Sequence, residues 1–281
     1  MMKFGFVTCV QLGLTCMESI YEAGGKLDLV ISLKDDMAER KSGRIYVDDF
    51  CKRRSIPVLK TRNINDEEAV EAIRKHQLDW LFVIGWSQIA REAVLQAPRL
   101  GVVGIHPTLL PQGRGRAAIP WAILKGLRET GVTMFKLDEG MDTGPIIAQE
   151  KIILAPDETA SVLYEKVSLA HASIIKGIWA DFAENNIRLV PQEEAFASEW
   201  PGRRPEDGQI GTDMTVEEVD RLVRAVTRPY PGAFYVEGRK TYRIWQGRPL
   251  GLSGRDPQPG FSIHLKDGVY LATEFQVEAE S

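Results

Sequence analysis

Short apolar runs alternate with amphipathic segments through the first 150 residues of the chain. This alternation is typical of a parallel β-sheet whose faces are covered by helices. The apolar runs predict strands over residues 3–10, 27–33, 80–84 and 101–106, with a short extended segment at residues 56–60. The segments between them predict helices over residues 15–23, 48–54, 66–76 and 89–95. The sequence therefore predicts an α/β fold with a mainly parallel sheet.

The second half of the chain has a different pattern. Apolar residues recur every three to five positions over residues 159–186 and predict one long helix. A stretch rich in Gly, Pro and charge at residues 198–213 is typical of a linker. Thr215 and Glu218 then form a capping box for a further helix. Strands are predicted after it, at residues 234–236, 242–245, 262–265 and 269–272. We expect one domain over residues 1–200 and a small β domain over residues 201–281.

The composition is that of an ordinary globular chain. The 281 residues are 44% hydrophobic and 26% charged, which is enough for one full core and a smaller domain. A net charge of −4 offers no general attraction for polyanions and favours a small-molecule partner over nucleic acid. Three cysteines without paired spacing fit a reducing compartment, and no apolar run approaches the roughly 18 residues of a membrane span. We expect a cytoplasmic protein without membrane association.

Polar residues follow two of the predicted strands at the points where the strands end. Residues 85–88 come directly after the run WLFVI, and His106 ends the run GVVGIH. Open α/β sheets bind ligands in the crevice outside the carboxyl ends of their strands. We therefore expect both strand ends to face one binding crevice.

Asp142 lies in a turn between two further apolar runs, so a hairpin would return its carboxylate to His106. An imidazole beside a carboxylate is the minimum apparatus for moving a proton and stabilising developing charge. No serine or cysteine stands in a Gly-x-Ser-x-Gly type of turn, which favours direct acyl transfer over an acyl-enzyme. A hydrogen-bonded structural His–Asp pair is the alternative from these two residues alone.

The other histidines give weaker signals. His76, His171 and His264 are widely separated and lack HxxxH or HxH spacing, so no metal site is expected. His171 lies within the predicted long helix, between two alanines, and is interpreted as an ordinary packed or surface residue.

Four ordered blocks resemble the folate-dependent formyltransferase family, which includes enzymes that act on methionyl-tRNA, glycinamide ribonucleotide and amino-sugar nucleotides. The blocks are HPTLLP from His106, Arg114-Gly115-Arg116, TGVT from Thr130, and Asp142-Thr143-Gly144 with residues 146–149. The likeness continues through VRAVTRPYPGAF at residues 223–234 into the small C-terminal domain. Essentially the whole chain is covered.

The resemblance implies a Rossmann-like N-terminal domain, a small C-terminal β (OB-like) domain, and formyl transfer from 10-formyltetrahydrofolate to a primary amine without a metal. His106 is implied to hydrogen-bond the carbonyl oxygen as it becomes an oxyanion and to protonate the departing folate nitrogen. Asp142 is implied to hold His106 in its charged form and to help deprotonate the amine. The positions at which the family holds the folate are Ser87, Gln88, Ile89, Thr108, Leu109, Leu110, Pro111, Arg116, Asp138, Glu139, Gly140 and Met141.

One position departs from the family pattern. The family usually has Asn-x-His, in which the asparagine amide is a second donor to the oxyanion, whereas this chain has Gly104 two residues before His106. Loss of one oxyanion donor costs about 10²- to 10³-fold in rate elsewhere. Gln11, Gln88 and Thr108 are the polar candidates for a replacement, or Gly104 makes space for a different substrate or a water.

The acceptor amine is predicted from the last 70 residues, 212–281. Nine Lys or Arg and ten Asp or Glu make this part near neutral, which disfavours tRNA. The YPGAF segment and the Arg114-Gly115-Arg116 spacing resemble the amino-sugar nucleotide branch, so a nucleotide-linked amino sugar is expected. The alternatives are methionyl-tRNA as acceptor, hydrolysis of 10-formyltetrahydrofolate, and folate binding without catalysis. Exposed strands in the small domain are compatible with a homodimer.

Overall fold

The computed structural model describes residues 1–38, 44–250 and 260–279. The chain forms two compact units. The first contains Met1–Arg114, Gly131–Ile152 and Val167–Glu199. The second contains Gly115–Thr130, Ile153–Lys166 and Trp200–Ser281. The second unit thus includes two short segments that precede residue 200.

The regular elements of the described residues are numbered in chain order. The strands are β1 (Phe4–Val7), β2 (Leu29–Leu33), β3 (Val58–Thr61), β4 (Trp80–Val83), β5 (Gly101–His106), β6 (Arg114–Gly115), β7 (Glu129–Lys136), β8 (Ile146–Ile153), β9 (Glu199–Trp200), β10 (Ala233–Glu237), β11 (Lys240–Pro249), β12 (Phe261–Leu265) and β13 (Gly268–Ala279). The α-helices are α1 (Gln11–Glu22), α2 (Asp35–Ala38), α3 (Asp48–Arg54), α4 (Glu67–Lys75), α5 (Glu92–Leu95), α6 (Ala118–Leu124), α7 (Ala160–Glu184) and α8 (Val216–Val226).

A seven-stranded sheet has the order β3-β2-β1-β4-β5-β7-β8. The strands from β3 to β5 in this order are parallel, which confirms the predicted mainly parallel sheet. β7 runs antiparallel to β5 and places Thr133 opposite His106. Because parallel strands have their carboxyl ends at one edge, the loops that follow β4 and β5 lie side by side.

The two faces of this sheet pack against different helices of the first unit. On one face, α7 contributes Trp179 and Phe182. The ring of Phe182 lies 4.9 Å from that of Phe82, and the ring of Trp179 lies 4.6 Å from that of Phe4, between centroids. On the other face, Ile73 of α4 is part of the apolar cluster that the strands form. Burial on both faces explains why the strands are continuously apolar in sequence.

Phe182 packs against the rings of Trp80 and Phe82, and its side chain is fully buried. We expect Phe182→Ala to lower the free energy of unfolding by about 3–5 kcal/mol, because the variant loses apolar burial and leaves a cavity. Denaturant unfolding of the pure protein measures this. Phe196→Ala, at a position that is 61% exposed, is the matched control and should change the same quantity by less than about 0.5 kcal/mol. A similar small change for Phe182→Ala would contradict the packing described.

The second unit contains α8 and a four-stranded sheet. α8 begins at the predicted capping box: Thr215 Oγ1 accepts from the Glu218 N–H at 3.2 Å, and the Glu218 carboxylate accepts from the Thr215 N–H at 2.7 Å. The strands pair antiparallel in the order β10-β11-β13-β12. The small C-terminal β structure predicted from the sequence is thereby confirmed.

The helix predicted over residues 89–95 begins three residues late, at Glu92. The side chain of Asn65 donates to the Ile89 carbonyl oxygen at 2.9 Å and accepts from the Arg91 N–H at 2.8 Å. These backbone groups are therefore bound by a side chain instead of by a helical turn. The prediction was wrong here because the partner lies more than twenty residues earlier, outside any local pattern.

Within the described part of the chain, none of the helices combines the length and the apolar composition that a membrane crossing requires.

Candidate active site

His106 is the last residue of β5, and its side chain is largely buried. Its Nε2 lies 2.8 Å from the carbonyl oxygen of Gly113. Because a carbonyl oxygen can only accept, Nε2 carries a proton in this arrangement. The other ring nitrogen, Nδ1, lies 3.5 Å from Oδ2 of Asp142. The side chains are 10% and 19% exposed, so water screens this pair only weakly.

Asp142 reaches His106 from the loop between β7 and β8. Its φ is +57°, in the left-handed region that Asp and Asn enter more readily than most residues. Two residues later, the chain passes so close to β7 that a Cβ on Gly144 would lie 1.8 Å from the Lys136 carbonyl oxygen. Only glycine fits at that point. The sequence Asp-Thr-Gly therefore determines the turn that brings the carboxylate to the imidazole.

Residues 108–111 follow Pro107, the residue after His106, and side chains from two other blocks bind their backbone. Thr133 Oγ1 donates to the Thr108 carbonyl oxygen at 2.7 Å and accepts from the Leu110 N–H at 3.0 Å. The amide of Gln149 donates to the Leu110 carbonyl oxygen at 2.8 Å and to Thr133 Oγ1 at 2.9 Å. Blocks that are separate in sequence, HPTLLP, TGVT and residues 146–149, are therefore parts of one hydrogen-bonded cluster.

Gly104 lies two residues before His106, on the same face of β5. A Cβ at this position would lie 2.8 Å from Cδ2 of Leu137, which therefore occupies the space beside the glycine. A substrate or a water at this point would have to displace the Leu137 side chain, and the interpretation of Gly104 as space for either one remains a prediction. The polar side chain that is usual in the family is replaced here by apolar packing.

The candidates for a replacement donor differ in their hydrogen bonds. Gln88 is engaged at both ends, since its Oε1 accepts from the Ile64 N–H and its Nε2 donates to the Arg62 carbonyl oxygen, both at 2.9 Å. Gln11 is exposed at the start of α1. The hydroxyl of Thr108 is buried and has no hydrogen-bond partner within the described residues. Of the three, Thr108 is the one whose polar group is buried without a hydrogen-bond partner among the described residues.

The contact of Leu137 with Gly104 gives a prediction about stability. We expect Gly104→Asn to lower the free energy of unfolding by about 1–3 kcal/mol, because the new side chain must displace Leu137. The double variant with Leu137→Ala should recover part of this loss, which a double-mutant cycle measures. Equal costs for Gly104→Asn with and without Leu137 would contradict the described contact.

The remaining predicted positions are distributed as follows. Residues 87–89 follow β4, with Ile89 71% exposed, and residues 138–141 form an exposed part of the loop that carries Asp142. Met141 is 57% exposed. The first unit holds all the predicted site residues except Arg116, which belongs to the second unit and donates its backbone N–H to the Trp200 carbonyl oxygen at 3.1 Å.

His171 is a buried residue of α7. Of the packed and the surface position that the sequence left open for it, the structure shows the packed one. Its Nδ1 lies 2.7 Å from the Val167 carbonyl oxygen, and burial lowers its pKa to about 4. In the described residues, no group of three or more His, Cys, Asp or Glu side chains is arranged to hold a metal ion.

Gln192 is a site residue that sequence reasoning missed. Its Nε2 donates to the carbonyl oxygens of Asp142 and Gly144, at 2.7 Å each. Its Oε1 accepts from the guanidinium of Arg114, a buried residue of the Arg-Gly-Arg block to which the sequence assigned no role. A single glutamine in an irregular segment, about fifty residues from its partner, carries no sequence pattern that could have identified it.

A mainly parallel α/β sheet with an imidazole–carboxylate pair at a strand's carboxyl end is an arrangement suited to an acid–base enzyme. The chain belongs to the formyl transferase family. Residues 8–177 match the family's sequence model, and residues 203–277 match the model of the formyl transferase C-terminal domain. The domain boundary expected after residue 200 remains a prediction.

The proteins similar to this chain include methionyl-tRNA formyltransferases and an N-formyltransferase whose structure contains an aminosugar nucleotide. The methionyl-tRNA formyltransferase of Agathobacter rectalis is 30% identical over 275 residues, which is 97% of this chain and 88% of that protein. The structure of an N-formyltransferase from Helicobacter canadensis with folinic acid and dTDP-3-aminofucose has a TM-score of 0.73 at 20% identity, over 98% of this chain and all of that one. The methionyl-tRNA formyltransferase of Clostridium thermocellum has a TM-score of 0.66 at 17% identity, with both chains fully covered. At these identities the structures show a shared fold.

Proposed function

We propose that the chain transfers the formyl group of 10-formyltetrahydrofolate to a primary amine at His106 and Asp142. The observation that carries the proposal is the 3.5 Å approach of His106 Nδ1 to Asp142 Oδ2 at the carboxyl end of β5. Membership of the formyl transferase family supports the reaction class, and the folate ligand named for the Helicobacter canadensis relative supports the formyl donor.

The described residues fit such a donor. Ile89 and Met141 expose apolar side chains on the two loops predicted to hold the folate, and a flat pterin ring could cover such surface. Backbone groups of residues 108–111 and 138–141 provide donors and acceptors for the edge of the ring. When bound, 10-formyltetrahydrofolate would supply a formyl carbon attached to a nitrogen that can leave.

The roles of the two side chains follow from their geometry. In its doubly protonated, positively charged form, which the Asp142 carboxylate would stabilise, His106 would donate from Nδ1 to the formyl oxygen as this oxygen gains negative charge, because Nε2 is already committed to Gly113. Oδ2 of Asp142 would accept a proton from the attacking amine. A bond forms between the amine nitrogen and the formyl carbon, the bond from that carbon to the folate nitrogen breaks, and the leaving nitrogen takes a proton from His106.

For the acceptor we propose a nucleotide-linked amino sugar. Binding of tRNA needs arginines and lysines that are available to phosphates. In the second unit, four arginines are each paired with a carboxylate of the same unit: Arg221 with Glu217, Arg224 with Asp220, Arg228 with Glu274 and Arg243 with Glu278. These pairs reduce the positive charge that the unit offers to a polyanion. The aminosugar nucleotide in the Helicobacter canadensis structure is consistent with the same choice.

Methionyl-tRNA is the second candidate acceptor. The 30% identity with the Agathobacter rectalis enzyme over nearly the whole chain favours it. A primary amine is present in both kinds of acceptor, so the same pair of catalytic side chains would serve either one.

The acceptor is tested by incubating the pure protein with 10-formyltetrahydrofolate and one amine at a time. The arms contain nucleotide-linked 3-amino and 4-amino sugars, methionyl-tRNA, or no amine, and each is followed by tetrahydrofolate release and product mass. The proposal expects one formyl group on one of the sugars. Formylation of methionyl-tRNA alone would establish the second candidate, and formate release in every arm would establish a hydrolase.

A further inference from the structure

We propose that Gln192, held by Arg114, is a positioning residue that fixes the Asp142 carboxylate against His106. This inference rests on the proposed function. Gln192 reaches the Asp142 turn through the backbone carbonyl oxygens of Asp142 and Gly144, so it acts on the reaction through Asp142.

The primary amide of Gln192 is used at both ends. Its Nε2 donates to the carbonyl oxygens of Asp142 and Gly144, at 2.7 Å each, and so spans the turn that follows the carboxylate. Asp142 has a φ of +57°, a conformation that its own backbone does not favour strongly. Two short hydrogen bonds from one amide oppose relaxation of this turn. The segment that carries Gln192 lies next to the start of β8, because Val190 and Ile146 exchange backbone hydrogen bonds at 2.8 and 2.9 Å.

Arg114 fixes the other end of the amide. Its Nε and Nη2 donate to Gln192 Oε1 at 3.1 and 2.9 Å, and this orientation leaves the amide nitrogen facing the turn. The guanidinium is itself held by the Glu194 carboxylate, at 3.0 Å from Nη1 and 2.6 Å from Nη2. The Arg114 side chain is only 4% exposed. A buried guanidinium with a fork of hydrogen bonds is a rigid anchor.

The segment that carries Gln192 also restrains His106. Ser198 Oγ accepts from the Gly113 N–H at 3.0 Å, and the Ser198 carbonyl oxygen accepts from the Arg114 N–H at 2.9 Å. The carbonyl oxygen of Gly113 in turn accepts from His106 Nε2 at 2.8 Å. Residues 192–198 therefore connect to both partners of the pair, to the backbone of Asp142 through Gln192 and to the imidazole of His106 through Ser198 and Gly113.

Two variants separate the donations of Gln192 from its contact with Arg114. Gln192→Leu removes the hydrogen bonds to the Asp142 turn and also the acceptor for Arg114. Gln192→Glu keeps an acceptor for Arg114 and removes the N–H donors, so the anchor is retained while the turn is released. Gln96→Leu is the matched control, because Gln96 is exposed at the end of α5 and its amide donates to the Glu92 carboxylate at 2.9 Å.

The measurement is steady-state formyl transfer together with thermal unfolding. We expect both Gln192 variants to lose about tenfold in kcat, since misplacement of a reacting group by about 1 Å costs as much as 10²-fold. KM for both substrates and the melting temperature should stay near the wild-type values. The control should retain wild-type kcat.

Wild-type kcat in Gln192→Glu would overturn the inference. A loss of kcat that is accompanied by a melting temperature below that of the wild type would also overturn it. These results differ from failure of the proposed function, in which the wild-type protein itself would transfer no formyl group.

Discussion

Replacement of His106 by asparagine is expected to lower kcat for formyl transfer by about 10²- to 10⁴-fold, the range that general acid–base groups contribute. Asparagine can still donate one hydrogen bond, but it cannot carry a transferable proton or a positive charge. The loss should therefore fall on the chemical step. Binding of a folate analogue, measured by calorimetry, should change little, because the folate is expected to contact mainly the loops around the imidazole.

His264→Asn is the matched control, since His264 is exposed on β12 in the second unit. This variant should keep wild-type kcat. Near-normal turnover by His106→Asn would mean that the imidazole is a structural residue, and the alternative of a hydrogen-bonded His–Asp pair without catalytic function would then hold.

Asp142→Asn is expected to lower kcat by at least about 10²-fold. This substitution removes charge with little change of shape, and asparagine also tolerates the positive φ of +57° at this position. The hydrogen bonds from Gln192 use backbone carbonyl oxygens, so the turn should persist. The loss would therefore report the carboxylate's charge and its ability to accept a proton.

The control for this prediction is Asp157→Asn, an exposed turn residue of the second unit. Its kcat should equal that of the wild type in the same assay. If Asp142→Asn transfers formyl groups at the wild-type rate with an unchanged melting temperature, the amine loses its proton to a group other than Asp142.

The sheet was predictable because its strands are buried on both faces and read as continuous apolar runs. Gly101–His106 and Asp48–Arg54 have the predicted bounds as strand and helix. The place of His106 at a strand end followed from the same pattern. The position of Asp142 required a hairpin, which the two flanking apolar runs indicated.

Other features depend on contacts between distant residues, and local patterns do not encode these. Asn65 binds the backbone at Ile89 and Arg91 and delays α5. Leu137 fills the space beside Gly104, a contact that the spacing of charges and apolar residues cannot show. Gln192 reaches Asp142 only after α7 has returned the chain to β8. In each case the partner is chosen by the tertiary fold.

We propose above that His106 and Asp142 move a formyl group from folate to an amine. A single-turnover reaction tests these roles, with 10-formyltetrahydrofolate that carries an isotopic label in the formyl group and with saturating amine. We predict that the wild-type protein places the label in an N-formyl product, and that His106→Asn and Asp142→Asn, both folded, still hold it on the folate when the wild-type reaction is complete. Label in the product at equal rates for all three proteins, or no label transfer to any amine by the wild type, would contradict the catalytic roles proposed for His106 and Asp142.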